Sequence, residues 1–252
     1  GKNGFRVLYK GSNLLQKPII SGGSHISGWE KTEHGLWKTT VNNVEDVRQL
    51  YIDGNPARRS RTKYDYEAVE NWNDPETDSW IDGLYVKKRN FPVMTNKEDL
   101  EFVSINDWLG HRAPIADIID ADEERWLIKF EQPYFSNFEL TNVNFRPNAG
   151  LRFYIENAYE LTNQPGEFYF NKKTKEIFYY PYPEEDMTKV DAVIGRTEFM
   201  IKAKGTSRDE KMEGLAFENL DFRYGTWIDV NRTGIQATQA DCLVPPEGNP
   251  YR

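Results

Sequence analysis

The clearest pattern of apolar and polar positions lies in the second half of the chain. Two runs rich in aromatic residues, at 168–170 and 177–180, flank a polar run at 171–176. Aromatic and β-branched residues on both sides of a short polar turn are typical of paired strands, because a pleated, half-buried surface accommodates them. The pattern therefore predicts a β-hairpin that follows the chain break at Pro165-Gly166.

The residues before this hairpin, 151–161, fit either a helix or an extended run, and we favour an extended run that ends in a turn. The aromatic side chains of the hairpin also allow two interpretations. They can pack as a core between sheets, which we favour, or they can form a platform on which a sugar ring stacks.

Short alternating segments recur along the rest of the chain. Residues 5–9 and 126–130 alternate apolar and polar positions, as does 48–52, which runs into Asp53-Gly54. An Asp-Gly pair favours a tight turn because glycine tolerates positive φ. These segments predict an all-β fold.

Helical periodicity is weak. Residues 98–109 are the best helix candidate, and 44–47 are compatible with a single helical turn. Residues 62–97 scatter aromatic side chains among Asn, Asp, Glu, Pro and Gly, so they are predicted to form a long loop with aromatic anchors. Such a loop is either a functional excursion or a solvated one.

The pattern changes from residue 199 onward. Residues 199–203 alternate, and the pairs Leu215/Phe217 and Leu220/Phe222 are separated by three positions instead of two. A three-residue step reverses the inward face unless the chain bends, so we predict two very short strands joined at a corner at 218–219. Short strands with sharp corners are typical of a parallel β-helix, and a β-sandwich is the alternative.

Charge and cysteine content narrow the classes of partner and of site. The 252 residues include 40 acidic and 32 basic side chains, with a formal net charge of −8 and no sustained basic stripe. This balance argues against nucleic acid or an anionic membrane as a partner. The single cysteine, Cys242, excludes an intrachain disulfide and any metal site built from several cysteines.

No apolar run approaches the about 20 residues that a membrane-spanning helix needs. Neither an initiator methionine nor a signal-peptide apolar region stands at the start, and the end has the composition of a loop. We therefore expect this sequence to be part of a longer chain, whose remainder is its structural partner.

Three blocks of the sequence, in order, resemble a known group of enzymes. The blocks are 21–29 with 35–37 and 48–61, then 165–169 with 179–181 and 185–186, and finally 217–227. They are similar to the corresponding segments of right-handed parallel β-helix, pectin-lyase-like glycoside hydrolases. This group comprises secreted bacterial polysaccharide-degrading enzymes, including β-xylosidase-like and fucosidase-like members.

The resemblance implies an architecture and a location. The first β-helix strands would occupy 1–23, an inserted β-sandwich-like domain 24–195, and the return to the helix 196–252. The resemblance further implies a secreted, periplasmic or cell-surface protein whose ligand is an oligosaccharide or polysaccharide. The catalytic carboxylates of such enzymes would lie on later coils, beyond Arg252.

Catalysis within this chain would require a suitable pair of carboxylates. Glycoside hydrolysis uses one carboxylic acid and one carboxylate about 5–9.5 Å apart. The acidic runs at 117–124 and 184–186 are typical of solvated turns. Glu167, between Gly166 and an aromatic strand, is the remaining weak candidate, and we favour a structural hydrogen-bonding role for it.

Four residues are candidates for contact with the sugar. Arg59 and Arg61 belong, with Arg58, to the basic cluster after the Asp-Gly turn, and an inward-facing guanidinium would donate paired hydrogen bonds to sugar hydroxyls or to an acidic sugar. Surface ion pairs are the alternative. By analogy with the resembled enzymes, Trp227 is a candidate for stacking on a sugar, and Gln239 would face the same groove.

Other chemistry has little support in the sequence. His25, His34 and His111 lack the close spacing of zinc ligands, and Asp74, Asp78 and Asp82 lack an EF-hand pattern. We predict neither a metal nor a cofactor. Two function classes remain: the amino-terminal portion of a glycoside hydrolase, inactive alone, or a non-catalytic carbohydrate-binding or adhesion module.

Overall fold

The computed structural model describes residues 4–63, 66–76, 82–89, 91–106, 109–132, 134–135, 152–207 and 209–228. Strands dominate these residues, so the predicted all-β class is confirmed. Short 3-10 turns lie at Lys97–Asp99 and Tyr159–Leu161. The strands are β1 Val7–Lys10, β2 Ile19–Ser21, β3 Gly23–Ile26, β4 Glu30–Lys31, β5 Trp37–Thr40, β6 Leu50–Ile52, β7 Asn55–Pro56, β8 Arg58–Arg59, β9 Tyr66–Trp72, β10 Gly83–Lys87, β11 Glu101–Asn106, β12 Leu109–Asp120, β13 Arg125–Phe130, β14 Arg152–Glu156, β15 Glu167–Asn171, β16 Glu176–Tyr179, β17 Ala192–Gly195, β18 Leu215–Glu218 and β19 Asp221–Arg223.

The chain divides into two compact units. The first contains the described residues of 1–27, 47–57 and 189–228, and the second contains those of 28–46 and 58–188. Each sheet lies within one unit. The domain boundaries predicted from the resemblance, at 23/24 and 195/196, stay a prediction.

The first unit contains two parallel strand pairs. Strand β1 pairs with β18, and β2 pairs with β19, both in parallel. Between β18 and β19 the backbone of Asn219 adopts a φ of 53°, which confirms the predicted pair of very short strands joined at a corner. The Asn219 side chain donates hydrogen bonds to the carbonyls of Gly11 (3.0 Å) and Asn13 (2.7 Å). It thus connects the corner between β18 and β19 to the segment between β1 and β2.

The first unit also contains an antiparallel sheet, ordered β3-β17-β6-β7. Asp53 and Gly54 connect β6 to β7 with φ values of 50° and 80°, so the predicted tight turn is confirmed. Residues 199–203 alternate in the sequence but form no strand, and Phe199 and Ile201 are exposed. Alternation in the sequence does not produce a strand where no neighbouring strand pairs with it.

The second unit is built around a closed six-stranded barrel, in the order β10-β13-β12-β11-β14-β9. Its core is apolar and rich in phenylalanine. The buried residues include Leu84, Val86, Leu100, Phe102, Ile115, Ile128, Phe130, Phe135, Phe153 and Ile155. Two barrel strands, β9 and β10, lie within the predicted long loop at 62–97, so that prediction is wrong. Strands β9 and β10 contribute few apolar residues to the barrel core, and the other barrel strands supply the rest of it.

The helix predicted at 98–109 is also wrong. A 3-10 turn ends at Asp99, and residues 101–106 form β11, which pairs with β12 and β14. Phe102 faces the barrel core while Glu101 and Val103 are buried on the opposite face. Burial of both faces removes the apolar and polar alternation that marks a strand. Residues 44–47 form no helical turn either.

The predicted hairpin is confirmed. Strands β15 and β16 pair antiparallel within a five-stranded sheet ordered β4-β5-β16-β15-β8. Phe168, Tyr169 and Phe170 are all fully buried, which agrees with the core-packing interpretation of the aromatic residues. The extended run predicted before the hairpin is confirmed by β14 and the following 3-10 turn.

Candidate functional site

The basic cluster predicted as a sugar contact begins on β8, a short strand at the edge of the five-stranded sheet. Strand β8 pairs in parallel with β15, so that Arg58 lies beside Glu167 and Arg59 beside Phe168. Successive side chains of a strand point to opposite faces. Arg58 and Arg59 therefore have different surroundings, although they are adjacent in the sequence.

Arg59 is buried against the outer face of the barrel. Its Nη1 donates hydrogen bonds to Glu101 and Glu156 at 3.2 Å each, and its Nη2 lies 3.7 Å from a carboxylate oxygen of Asp46. Burial by itself would lower the pKa of Arg59, but the charges of Glu101, Glu156 and Asp46 outweigh burial and raise it. Arg59 is therefore charged whenever the protein is folded.

Glu101 and Glu156 stand directly opposite each other on the paired strands β11 and β14. Like charges in this position repel, so they require a cation between them. Arg59 supplies one cation, and Arg112 on β12 supplies a second, which is hydrogen-bonded to Glu156. Because Arg59 is buried among these carboxylates, its surroundings do not favour the predicted sugar contact, and that contact stays a prediction.

Glu167 is buried, and both of its carboxylate oxygens accept hydrogen bonds. Oε1 accepts from Nη2 of Arg58 at 2.6 Å, and Oε2 accepts from the backbone N–H groups of Asn163 (3.2 Å) and Gln164 (3.0 Å). These bonds hold the turn that precedes β15 and fix the position of Arg58. The geometry is that of a structural acceptor, and a catalytic role for Glu167 stays a prediction.

The remaining predicted sugar contacts have different locations. Arg61 is exposed, and its guanidinium lies 5.0 Å from the ring centre of Tyr154. Trp227 belongs to the first unit and is 62% exposed. Gln239 lies outside the described residues. The structure thus places Arg59, Arg61 and Glu167 in the second unit, while Trp227 lies in the first.

Sequence reasoning missed a buried polar network beneath the hairpin. The Tyr169 hydroxyl donates to the carboxylate of Asp99, which also accepts from the backbone N–H of Lys172 at 3.0 Å. Burial raises the pKa of Asp99, although its hydrogen bonds oppose that shift. Burial, together with the hydrogen bond to Asp99, also raises the pKa of Tyr169. Asp99 lies in a polar run, and nothing in that run marks it as buried.

Asn157 extends this network. Its side chain donates to the carbonyls of Asp99 (2.9 Å) and Phe170 (3.1 Å) and accepts from the N–H of Phe170 at 3.0 Å. The residue adopts a φ of 65°, a left-handed conformation that asparagine tolerates better than most residues. Asn157 thereby connects the end of β14 to the hairpin.

In the described part of the chain, no group of three or more His, Cys, Asp or Glu side chains is arranged to hold a metal ion. His25 is instead hydrogen-bonded to Asp191 at 2.7 Å. Among the same residues, no helix has the length and apolar character required to cross a membrane.

Comparison with protein families gives a match over more than half of the chain. Residues 36–182, which contain the barrel and the hairpin, match the family model described as GH141 insertion domain. The chain belongs to the GH141 insertion domain family. This membership relates the chain to glycoside hydrolases, in agreement with the coarser part of the resemblance.

A solved structure described as a glycoside hydrolase has a similar fold. It superposes with a TM-score of 0.75 at 22% identity, over 93% of this chain and 41% of that one. This identity is low, so the likeness concerns the fold alone. The chain therefore spans less than half the length of this glycoside hydrolase. No curated protein matches the sequence.

Proposed function

We propose that this chain is a non-catalytic part of a secreted or periplasmic glycoside hydrolase that acts on an oligosaccharide or polysaccharide. The match of residues 36–182 to an insertion domain carries the proposal, because an inserted domain supplements the catalytic domain of its parent. The coverage of 41% of a glycoside hydrolase structure leaves room for that catalytic domain elsewhere in the protein.

The state of the buried carboxylates supports a non-catalytic role. Each buried carboxylate among the described residues accepts hydrogen bonds from the protein, and these residues are Asp82, Asp99, Glu101, Glu156 and Glu167. A glycosidase instead needs one carboxyl group that delivers a proton and one that attacks or activates water. We propose that this pair lies in another part of the parent protein.

We further propose that the parallel strand pairs of the first unit begin a right-handed parallel β-helix. The pairs β1–β18 and β2–β19 run in parallel, and one corner of the chain connects β1 to β2 while another connects β18 to β19. All of β1 is exposed, whereas parallel sheets are normally covered on both faces. Further coils of the same protein would cover these strands, and Trp227 and Gln239 would then line a substrate groove.

The proposal is tested by hydrolysis assays on the parent protein and on this chain alone. We expect the parent to hydrolyse aryl glycosides or glycans and the chain alone to show no activity. We also expect Glu167→Gln to leave the kcat of the parent nearly unchanged after correction for the folded fraction.

Hydrolysis by the chain alone that Glu167→Gln abolishes would overturn the non-catalytic assignment. A parent protein that binds glycans and hydrolyses none would instead identify a binding or adhesion module.

A further inference from the structure

An exposed tyrosine lies on the backbone of the turn that Glu167 organises. Gly166 has a φ of +82°, and a β-carbon at this position would lie 2.6–2.8 Å from the hydroxyl and ring atoms of Tyr182. The absence of a side chain on Gly166 thus allows the phenol to rest against the main chain. Tyr182 is still 46% exposed, so much of the ring is available to a ligand.

A half-exposed arginine borders the same turn. The backbone N–H of Arg58 donates to the carbonyl of Gly166 at 2.8 Å, and its side chain, 51% exposed, bonds to Glu167 through Nη2. A guanidinium has five N–H donors in a planar fork. Among the described residues Glu167 accepts from one of its nitrogens, Nη2, so Nε and Nη1 remain as donors on this half-exposed side chain.

The buried carboxylate prepares this arginine for a ligand. Glu167 is held by two backbone N–H groups and cannot follow Arg58 into solvent, so it restricts the positions that the guanidinium adopts. A restricted donor loses less conformational entropy when it binds. The bond is also charge-assisted, which strengthens the restriction.

The local charge identifies the class of ligand. Arg58 and Glu167 form a neutral pair, and Glu184 and Glu185 follow Tyr182 in the sequence. An anionic ligand would gain little from the paired arginine and would be repelled by these glutamates. A sugar ring offers apolar C–H groups that pack on an aromatic face, and its hydroxyl oxygens accept from arginine.

We propose that Tyr182, Arg58 and the Gly166-Glu167 backbone form a binding site for a neutral oligosaccharide, separate from the catalytic groups of the parent protein. This inference rests on the proposed function, because it names a substrate contact within the insertion domain. Arg58 belongs to the basic cluster that the sequence predicted as a sugar contact, whereas Tyr182 was not among the predicted contacts. Glu167 has a positioning role in it and is not a catalytic residue.

The test measures oligosaccharide binding by this chain with titration calorimetry. The probes are cellohexaose, xylohexaose and mannohexaose, with hexagalacturonate as the charged comparison. We expect at least one neutral hexasaccharide to bind. Tyr182→Ala or Arg58→Lys should weaken binding about tenfold, since a hydrogen bond to a charged group or an aromatic contact corresponds to that change. Tyr182→Phe keeps the ring and should bind within about twofold of the wild type.

A glycine pair supplies a matched control for the position of Tyr182. Gly166→Ala places a β-carbon where the phenol lies, whereas Gly35, at nearly the same φ of +83°, has no atom within 4 Å of an added β-carbon. Both substitutions place a side chain on a residue with almost the same positive φ. We expect Gly166→Ala to weaken binding as much as Tyr182→Ala does, and Gly35→Ala to leave the affinity unchanged.

Three results would overturn the proposal: no neutral hexasaccharide binds the wild type, the substitutions at 58, 166 and 182 leave binding unchanged, or hexagalacturonate binds more tightly than every neutral probe. Hydrolysis by the parent protein is measured separately. A hydrolytic parent with unaffected binding in these variants would remove this site and leave the proposed function standing. Binding that depends on Tyr182, in a parent protein that hydrolyses no glycan, would support this site and overturn the proposed function.

Discussion

At the scale of single residues, Arg59 is the buried cation that Glu101 and Glu156 share. We expect Arg59→Met to destabilise the chain by about 3–5 kcal/mol, because Glu101 and Glu156 would then face each other without their shared buried cation. Urea unfolding measures this change. The control is Arg152→Met, at an exposed position of β14, which should change stability by no more than about 0.5 kcal/mol.

A triple variant separates loss of the cation from loss of packing. Adding Glu101→Gln and Glu156→Gln to Arg59→Met removes the unpaired charges, and it should recover part of the lost stability. Equal instability of the single and triple variants would contradict the electrostatic explanation.

Asp99 leads to a prediction about pH. Its pKa is raised in the folded protein, chiefly by burial. The folded state therefore favours the protonated form, and the associated stability is fully present below the unfolded pKa and is lost as pH rises through the folded pKa. Asn in place of Asp99 cannot ionise, so the stability of Asp99→Asn relative to the wild type should increase as pH rises above about 4.

Asp122 provides a comparison of opposite sign. Its pKa is lowered by a hydrogen bond from Arg125, so its contribution to stability is present above the unfolded pKa and is lost as pH falls. The stability of Asp122→Asn relative to the wild type should therefore increase as pH falls. Chemical unfolding at several pH values measures both trends, and parallel trends in the two variants would contradict this account.

At the scale of elements, the turn of the hairpin contains a strained residue. Lys175, the last residue before β16, adopts a φ of 60°, which costs a side-chain-bearing residue about 1–2 kcal/mol and costs glycine little. We expect Lys175→Gly to stabilise the chain by about 1 kcal/mol, with part of the gain offset by a more flexible unfolded chain. Thermal unfolding measures the shift.

Lys173 in the same turn is the matched control. Its φ is not positive, so Lys173→Gly relieves no strain and should destabilise the chain slightly through the unfolded state. If both glycine substitutions shift the unfolding temperature in the same direction, the left-handed conformation at Lys175 is not the cause.

At the scale of the whole molecule, exposed apolar side chains are concentrated in the first unit. They include Phe5, Leu8, Tyr9, Leu14, Leu15, Phe199 and Trp227, and Leu15 is fully exposed. In the second unit the described residues expose few large apolar side chains, among them Val93. Large exposed apolar surfaces are typical of interaction sites or lead to association.

We therefore expect this chain, produced alone, to self-associate with increasing concentration. Leu8→Ser combined with Leu15→Ser should reduce that association, because both side chains are exposed in the first unit. Val93→Ser, at an exposed position of the second unit, should not reduce it. Sedimentation velocity measures the association. A chain that stays monomeric at high concentration would count against the proposal that other parts of the parent protein cover the exposed apolar surface of the first unit.

The sequence by itself determined the features that depend on neighbouring residues. The hairpin, the Asp53-Gly54 turn, the corner at 218–219 and the all-β class were all predicted, because turn chemistry and alternation act within a few residues. The resemblance also indicated a glycoside hydrolase, in agreement with the membership of the insertion domain family.

Only the tertiary structure decided the barrel and the environments of its charged residues. Strands β9 and β11 are recognisable once their partners close the barrel, since pairing and two-sided burial arise from residues far apart in the chain. Residues far apart in the chain also determine why the adjacent residues Arg58 and Arg59 have different surroundings. Arg58 is half-exposed and bonds to Glu167, whereas Arg59 is buried among carboxylates, because the face that each occupies is set by β15 and by the barrel.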